Sequence, residues 1–239
     1  MERTDRDRRC LLAFPLAIGA ATLASACASA GRERGEGGRE EDVGPAEDLM
    51  REHGVLNRVL LVDEECARRL GEPDADASAA TLLEVLRGTS ELAQRFVHGY
   101  HENLEEREVF PRLEQAGREV ALVGVLRAQH AAGRKTTDRI RALVEKEFPR
   151  EAKEREELGA RLAAFVRMYR PHEAREDTVL FPAFHAMFDP QDWDRLGEMF
   201  EAREHELFGE RGFERAVETV AGFERALGIH DLARFTAPA

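Results

Sequence analysis

Two stretches of this chain place a histidine and a glutamate four residues apart: His101-Glu-Asn-Leu-Glu105 and His172-Glu-Ala-Arg-Glu176. On an α-helix such residues are neighbours, with Cβ atoms about 5–6 Å apart, so each pair can grip one ion or let the glutamate span two. Each stretch runs on to a Phe-Pro pair, Phe110-Pro111 and Phe181-Pro182, and the copies are offset by 71 residues. Upstream of each lies a further histidine, His53 after Glu52 and His130 after Gln129. The candidate metal ligands are therefore His53, His101, Glu105, His130, His172 and Glu176. Four imidazoles and two carboxylates suit iron, manganese or zinc, not a thiolate-preferring ion. Two carboxylates shared between two histidine sets favour a dinuclear, carboxylate-bridged site. No Ser/His/Asp order, phosphate-binding loop or Cys-x-x-Cys is present, so other common catalytic classes lack support.

The elements that must carry these residues are helices. The chain has 239 residues, 43% of them hydrophobic and 7% aromatic, enough apolar content for a packed core. Ala, Leu, Glu and Arg dominate and β-branched runs are scarce, which points to an all-α fold. The formal charge of −12, from 35 Lys+Arg against 47 Asp+Glu, disfavours a nucleic-acid binder. From Asp48 onward apolar residues recur at three and four. One helix carries Leu49, His53, Leu56 and Leu60 and ends near Gly71-Glu72-Pro73; a second runs from about Ser90, a cap, to Val109 and stops near Pro111. A third carries Val123, Leu126, His130, Gly133, Thr137, Ile140 and Val144. The fourth carries Leu162, Phe165, Tyr169, His172, Glu176 and Leu180, is kinked by Pro171 and ends near Pro182. Two more follow, around residues 192–208 and 213–227. The expected architecture is a four-helix up-down bundle with additional C-terminal helices packed outside it. Each core stripe is interrupted at mid-length by a histidine or a His/Glu pair. An unpaired polar group on an apolar face costs a few kcal/mol, so four interruptions at similar depth call for a shared metal.

The ordered pattern His53, His101-x3-Glu105, His130, His172-x3-Glu176, with Phe110-Pro111 and Phe181-Pro182, resembles the hemerythrin-like (HHE) cation-binding domains over about Ala46 to Phe188. The resemblance implies a non-haem di-iron site in a four-helix bundle that handles dioxygen, related gases, iron or redox state. It also implies that the four histidines are terminal ligands and that Glu105 and Glu176 bridge. One position departs. Oxygen-carrying hemerythrins have a second histidine four residues after the third-helix one, where this chain has Arg134. That shifts the expectation from a reversible oxygen store toward sensing or redox work.

Three functions compete on this reading. The first is a di-iron protein that binds or senses dioxygen, peroxide or nitric oxide, or handles iron. A redox enzyme of peroxidase or ferroxidase type on the same site is the second. Last comes a helical interaction module without metal, or with structural zinc, for which six donors are an excess. Glu102 and Glu173 read as surface groups or partners of the ligands, and Tyr100 as a hydrogen-bond donor beside the site. His98 has no counterpart in the second copy, where Tyr169 stands, and is left out of the ligand set. His185, His205 and His230 read as surface or packing residues, Phe110 and Phe181 as plugs at the bundle end.

Four arginines, Arg3, Arg6, Arg8 and Arg9, precede an uncharged run from Cys10 to Ala30, which reads as a signal peptide over residues 1–30. Arg8-Arg9-Cys10-Leu11-Leu12 resembles a twin-arginine export signal, and Ala24-Ser25-Ala26-Cys27 a lipobox that would make Cys27 a lipid anchor. The protein is thus expected to be exported, periplasmic or a membrane-anchored lipoprotein. A Gly-rich linker follows at 31–47, then the bundle at 48–188 and the helical extension at 189–239. Cys66 remains as a small buried residue.

Overall fold

The computed structural model describes residues 44–73 and 75–237. The signal peptide, the Arg8-Arg9 pair, Cys27 and most of the 31–47 linker lie outside the described residues. Six helices make up the described chain, which contains no strand: α1 (Pro45–Leu70), α2 (residues 79–115), α3 (Val120–Val144), α4 (residues 152–185), α5 (Pro190–Phe208) and α6 (Gly212–Leu227). Single 3₁₀ turns lie at Ala75–Ser78 and Leu232–Phe235.

Helix α1 begins three residues before the expected Asp48. Pro45 supplies a preset φ at a position whose N–H would be unused, Glu47 and Asp48 face the positive helix end, and Arg68 and Arg69 the negative one. Helix α2 begins well upstream of Ser90, because Leu82, Val85 and Leu86 already form a buried stripe. Ser90 is therefore no cap; it lies inside the helix, and its Oγ donates to the Arg87 carbonyl at 3.0 Å.

Neither Pro111 nor Pro182 ends its helix, contrary to the sequence reading. Helix α2 widens into π-helical turns at Ala93–His101 and Glu105–Val109, then continues as Phe110–Gln115. Helix α4 does the same at Glu176–Leu180 and continues as Phe181–His185. Proline has no N–H to give and its ring crowds the preceding turn. A widened turn just before it accommodates both facts, and such insertions cluster at functional sites. Pro171 lies inside α4, which is helical on both sides of it.

Consecutive helices α1 to α4 pack as neighbours and α4 closes against α1, giving the four-helix bundle. Helix α6 lies outside it on α1 and α2, and α5 on α1 and α6. The Arg58 guanidinium ties α6 down by donating to both oxygens of Glu224 at 2.8 and 2.6 Å. Leucine, valine and phenylalanine fill the bundle ends, and Cys66 is buried among them. A band of buried His and Glu crosses the middle. One close approach sets the spacing of α3 and α4: a Cβ on Gly133 would sit 1.9 Å from the Tyr169 hydroxyl, so only glycine admits that ring. Among the described residues no helix is long and apolar enough to cross a membrane.

Candidate metal centre

Each bundle helix delivers one histidine to the central band, and α2 and α4 add a glutamate one turn further on. All six side chains are buried, and Glu105, Glu176 and His130 have no exposure at all. The structure brings every sequence-derived candidate together. His53, His101, Glu105 and Glu176 offer donor atoms within 4.8 Å of one another, as do His130, His172 and Glu176. Glu105 spans the two sets, with Oε1 at 3.7 Å from His101 Nε2 and Oε2 at 3.4 Å from His130 Nε2. From the opposite side Glu176 does the same, with Oε2 at 3.3 Å from His53 Nε2 and 3.1 Å from His172 Nε2, and Oε1 at 4.0 Å from His130 Nε2.

The outward nitrogen of every imidazole is held. His53 Nδ1 donates to Asp177 at 2.7 Å, His101 Nδ1 to Glu52 at 2.7 Å, His130 Nδ1 to Glu106 at 3.0 Å and His172 Nδ1 to the Gln129 amide oxygen at 2.9 Å. These bonds fix the tautomer that leaves Nε2 with its lone pair aimed inward. Two such lone pairs then face each other in each half, His53 and His101 Nε2 at 3.0 Å and His130 and His172 Nε2 at 3.2 Å. Atoms of that kind stay this close only with something positive between them. All four oxygens of Glu105 and Glu176 are also buried without a hydrogen-bond partner. A buried carboxylate left so costs several kcal/mol. These donors fit a metal ion.

Without metal, protons occupy the same places. Burial opposes a charge on His53, but the hydrogen bond to Asp177 and the negative charge of Glu176 outweigh it and push the imidazole up to about 10. His101 is driven well below the ordinary range by burial and by charged His53. Burial and the Glu176 charge push Glu105 far up. Against its own burial, Glu176 is held down by His172 and His53.

Around the centre runs a network with the same two-fold pattern. Arg134, four residues after His130, donates to Glu102 at 2.9 Å and to Glu106 at 2.8 Å. Asn57, four residues after His53, donates to Glu173. Glu102 also accepts from the Tyr169 hydroxyl at 2.6 Å and lies 3.0 Å from His98 Nδ1. Glu102 and Glu173 are thus buried partners of the network and not surface groups. His98, outside the ligand set, is buried between Glu102 and Thr137, whose hydroxyl lies 2.9 Å from His98 Nε2. Phe110 and Phe181 are not end plugs: Phe110 stacks on His130 at 5.4 Å and Phe181 on His53 at 5.5 Å. Glu106 and Asp177 were not singled out from the sequence. The repeat carried the signal, since each directly follows a His-x3-Glu glutamate. His205 and His230 are exposed, and exposed His185 stacks on Trp193 at 4.3 Å.

A family model described as "Hemerythrin HHE cation binding domain" matches residues 44–184 and, in a second overlapping match, 121–232. The first covers all four bundle helices; the second runs from α3 through α6. The chain is 41% identical over 235 residues to an uncharacterized protein of Mycobacterium bovis (strain ATCC BAA-935 / AF2122/97), covering 96% of this chain and 90% of that one. An uncharacterized protein of Mycobacterium tuberculosis (strain ATCC 25618 / H37Rv) matches with the same identity and coverage. No solved structure matches the chain significantly. With the family pattern running through every bundle helix and its buried His/Glu donors gathered in one band, the chain belongs to the hemerythrin HHE cation-binding domain family.

Proposed function

We propose that the chain holds a carboxylate-bridged pair of iron ions and binds or senses a small oxidant or diatomic molecule: dioxygen, peroxide or nitric oxide. One observation carries the reading. Four unpartnered carboxylate oxygens lie between two histidine pairs whose inward nitrogens face each other at 3.0 and 3.2 Å. His53 and His101 would hold one ion and His130 and His172 the other, with Glu105 and Glu176 shared. When bound, iron supplies a reversible change of oxidation state and an attachment point for the small molecule. Manganese or zinc also suits this donor set.

The chain's own residues prepare the site. Asp177, Glu52, Glu106 and Gln129 orient the imidazoles, and Phe110 and Phe181 cover two of them. Arg134 stands where oxygen carriers of the family have a further histidine, and its guanidinium is committed to Glu102 and Glu106. That commitment favours sensing or redox work over reversible storage. It also supports the second reading, a peroxidase- or ferroxidase-like enzyme on the same centre.

The test is metal content per chain in protein purified without added metal, with visible spectra before and after reduction and exposure to air. The expected result is about two irons, as in other bundles with inward Glu and His, with oxygen-dependent charge-transfer bands. One zinc, or no metal in a folded chain, would overturn the reading and leave the helical interaction module standing. We further propose export by the twin-arginine route, with Cys27 as a lipid anchor, on the sequence of residues 1–30 alone. Unchanged export after replacing Arg8 and Arg9 by lysine would sink the twin-arginine part.

A further inference from the structure

Where the end of α5 and the length of α6 lie over α2, the three helices leave an open cavity of about 470 Å³. Small-molecule sites span about 300–1,000 Å³ and have mostly apolar walls. The walls here are of that kind. Leu92 and Phe96 come from α2, Leu207 and Phe208 from α5, and Phe223 from α6. A Cβ on Gly88 would sit 2.3 Å from Phe223 Cζ, so that ring packs directly on the α2 backbone. On the α6 side the small Ala216 lines space that a larger side chain would fill. Leu207 is left 39% exposed at the edge.

Two exposed arginines, Arg95 and Arg215, complete the lining beside a single acid, Glu91. Among the described residues no salt bridge engages the Arg215 guanidinium. Arg95 reaches Glu91 only at 3.8 Å, with the two side chains 66% and 64% exposed. Water screens such a pair to little value. Two arginines against one glutamate leave this cavity net positive on a chain whose formal charge is −12. Aromatic walls next to uncommitted guanidinium groups select a molecule with an apolar tail and an anionic head. The planar fork of arginine matches a carboxylate with two parallel hydrogen bonds. One net positive charge suits a monoanion of that kind better than a dianionic phosphate.

We propose that this cavity binds an aliphatic carboxylate of the fatty-acid type. Its chain lies among Phe96, Phe208 and Phe223, and its head group meets Arg215 and Arg95. The site shares no residue with the six-donor centre, so it stands apart from the proposed iron pair.

Isothermal titration calorimetry of decanoate into the full chain, below the concentration at which decanoate forms micelles, counts the site. One decanoate per chain is expected. Thr219→Trp drives an indole into the cavity from an exposed position of α6 and should abolish that binding. Arg95→Gln/Arg215→Gln should weaken it about tenfold, the sum of two partly screened ion pairs. Decanol has the same tail without the charge. It should bind the wild type about tenfold more weakly than decanoate and be indifferent to the double arginine replacement. All three replaced side chains are exposed, and circular dichroism checks that each variant keeps its helices. No saturable binding of decanoate by the wild type, binding unchanged by Thr219→Trp, or equal affinity for decanoate and decanol overturns the proposal, whatever metal the chain holds.

Discussion

Replacing Gly133 by alanine tests how tightly the centre is built into α3 and α4. The new Cβ would lie 1.9 Å from the Tyr169 hydroxyl oxygen, 2.8 Å from Cζ and 3.0 Å from Cε2, so the ring must move as well as its tip. Tyr169 is 1% exposed and wedged between Phe165 at 4.4 Å and His172 at 5.3 Å, which leaves it little room. Moving it breaks the 2.6 Å hydrogen bond to Glu102. Overpacking costs about 1–3 kcal/mol, and a lost hydrogen bond to a charged group roughly 1.5–3 kcal/mol. Alanine returns about 1 kcal/mol of helix propensity over glycine. The net is a loss of about 2–5 kcal/mol, or roughly 5–15 °C in Tm for a domain of this size. Thermal unfolding of the metal-free chain followed by circular dichroism reads it directly. Metal content should fall with it, because His172 moves with the ring. In a double-mutant cycle, Tyr169→Phe should soften the effect of Gly133→Ala by removing the closest atom. A Gly133→Ala chain as stable as the wild type, with its metal unchanged, would refute this account of the packing.

Glu105→Ala and Glu176→Ala should each lower metal content or nuclearity by elemental analysis while the helical spectrum is kept; full loading in both removes the carboxylates from the site. Glu52→Ala should weaken metal binding by about 10–100-fold in a competition titration, since it frees the Nδ1 side of His101; unchanged affinity would mean that the ring needs no outer anchor. Asp63, buried in α1 with one oxygen unpartnered, is raised by desolvation from 3.8 to about 7. The folded state therefore favours the protonated form, and stability falls as pH rises from about 4 to 7, by on the order of 4 kcal/mol at the upper end. Asp63→Asn should accordingly raise Tm at pH 8 and have little effect at pH 4; equal shifts at the two would show that the charge does not matter.

Much of this was legible in the order of residues because helices are local. Spacings of three and four located the bundle helices, and the 71-residue repeat paired His101-x3-Glu105 with His172-x3-Glu176. A helix turns a spacing into a shared face without needing the rest of the fold. Proline and serine were weaker signals. Pro111 and Pro182 read as stops, yet a π-helical turn before each lets the helix continue. Ser90 read as a cap, while the buried leucines before it extended α2 upstream.

Long-range partners lay beyond such local signals. That Asp177 holds His53 from 124 residues away, that Tyr169 enters the space left by Gly133, and that Glu204 of α5 meets Glu52 of α1 are results of packing. The sequence by itself determined the helices, the six donors and their two-fold repetition, because those follow from backbone periodicity and ligand chemistry. Only the tertiary structure decided which nitrogen of each imidazole faces inward and which carboxylates are left without partners. Those depend on atoms that the fold brings together from opposite ends of the chain.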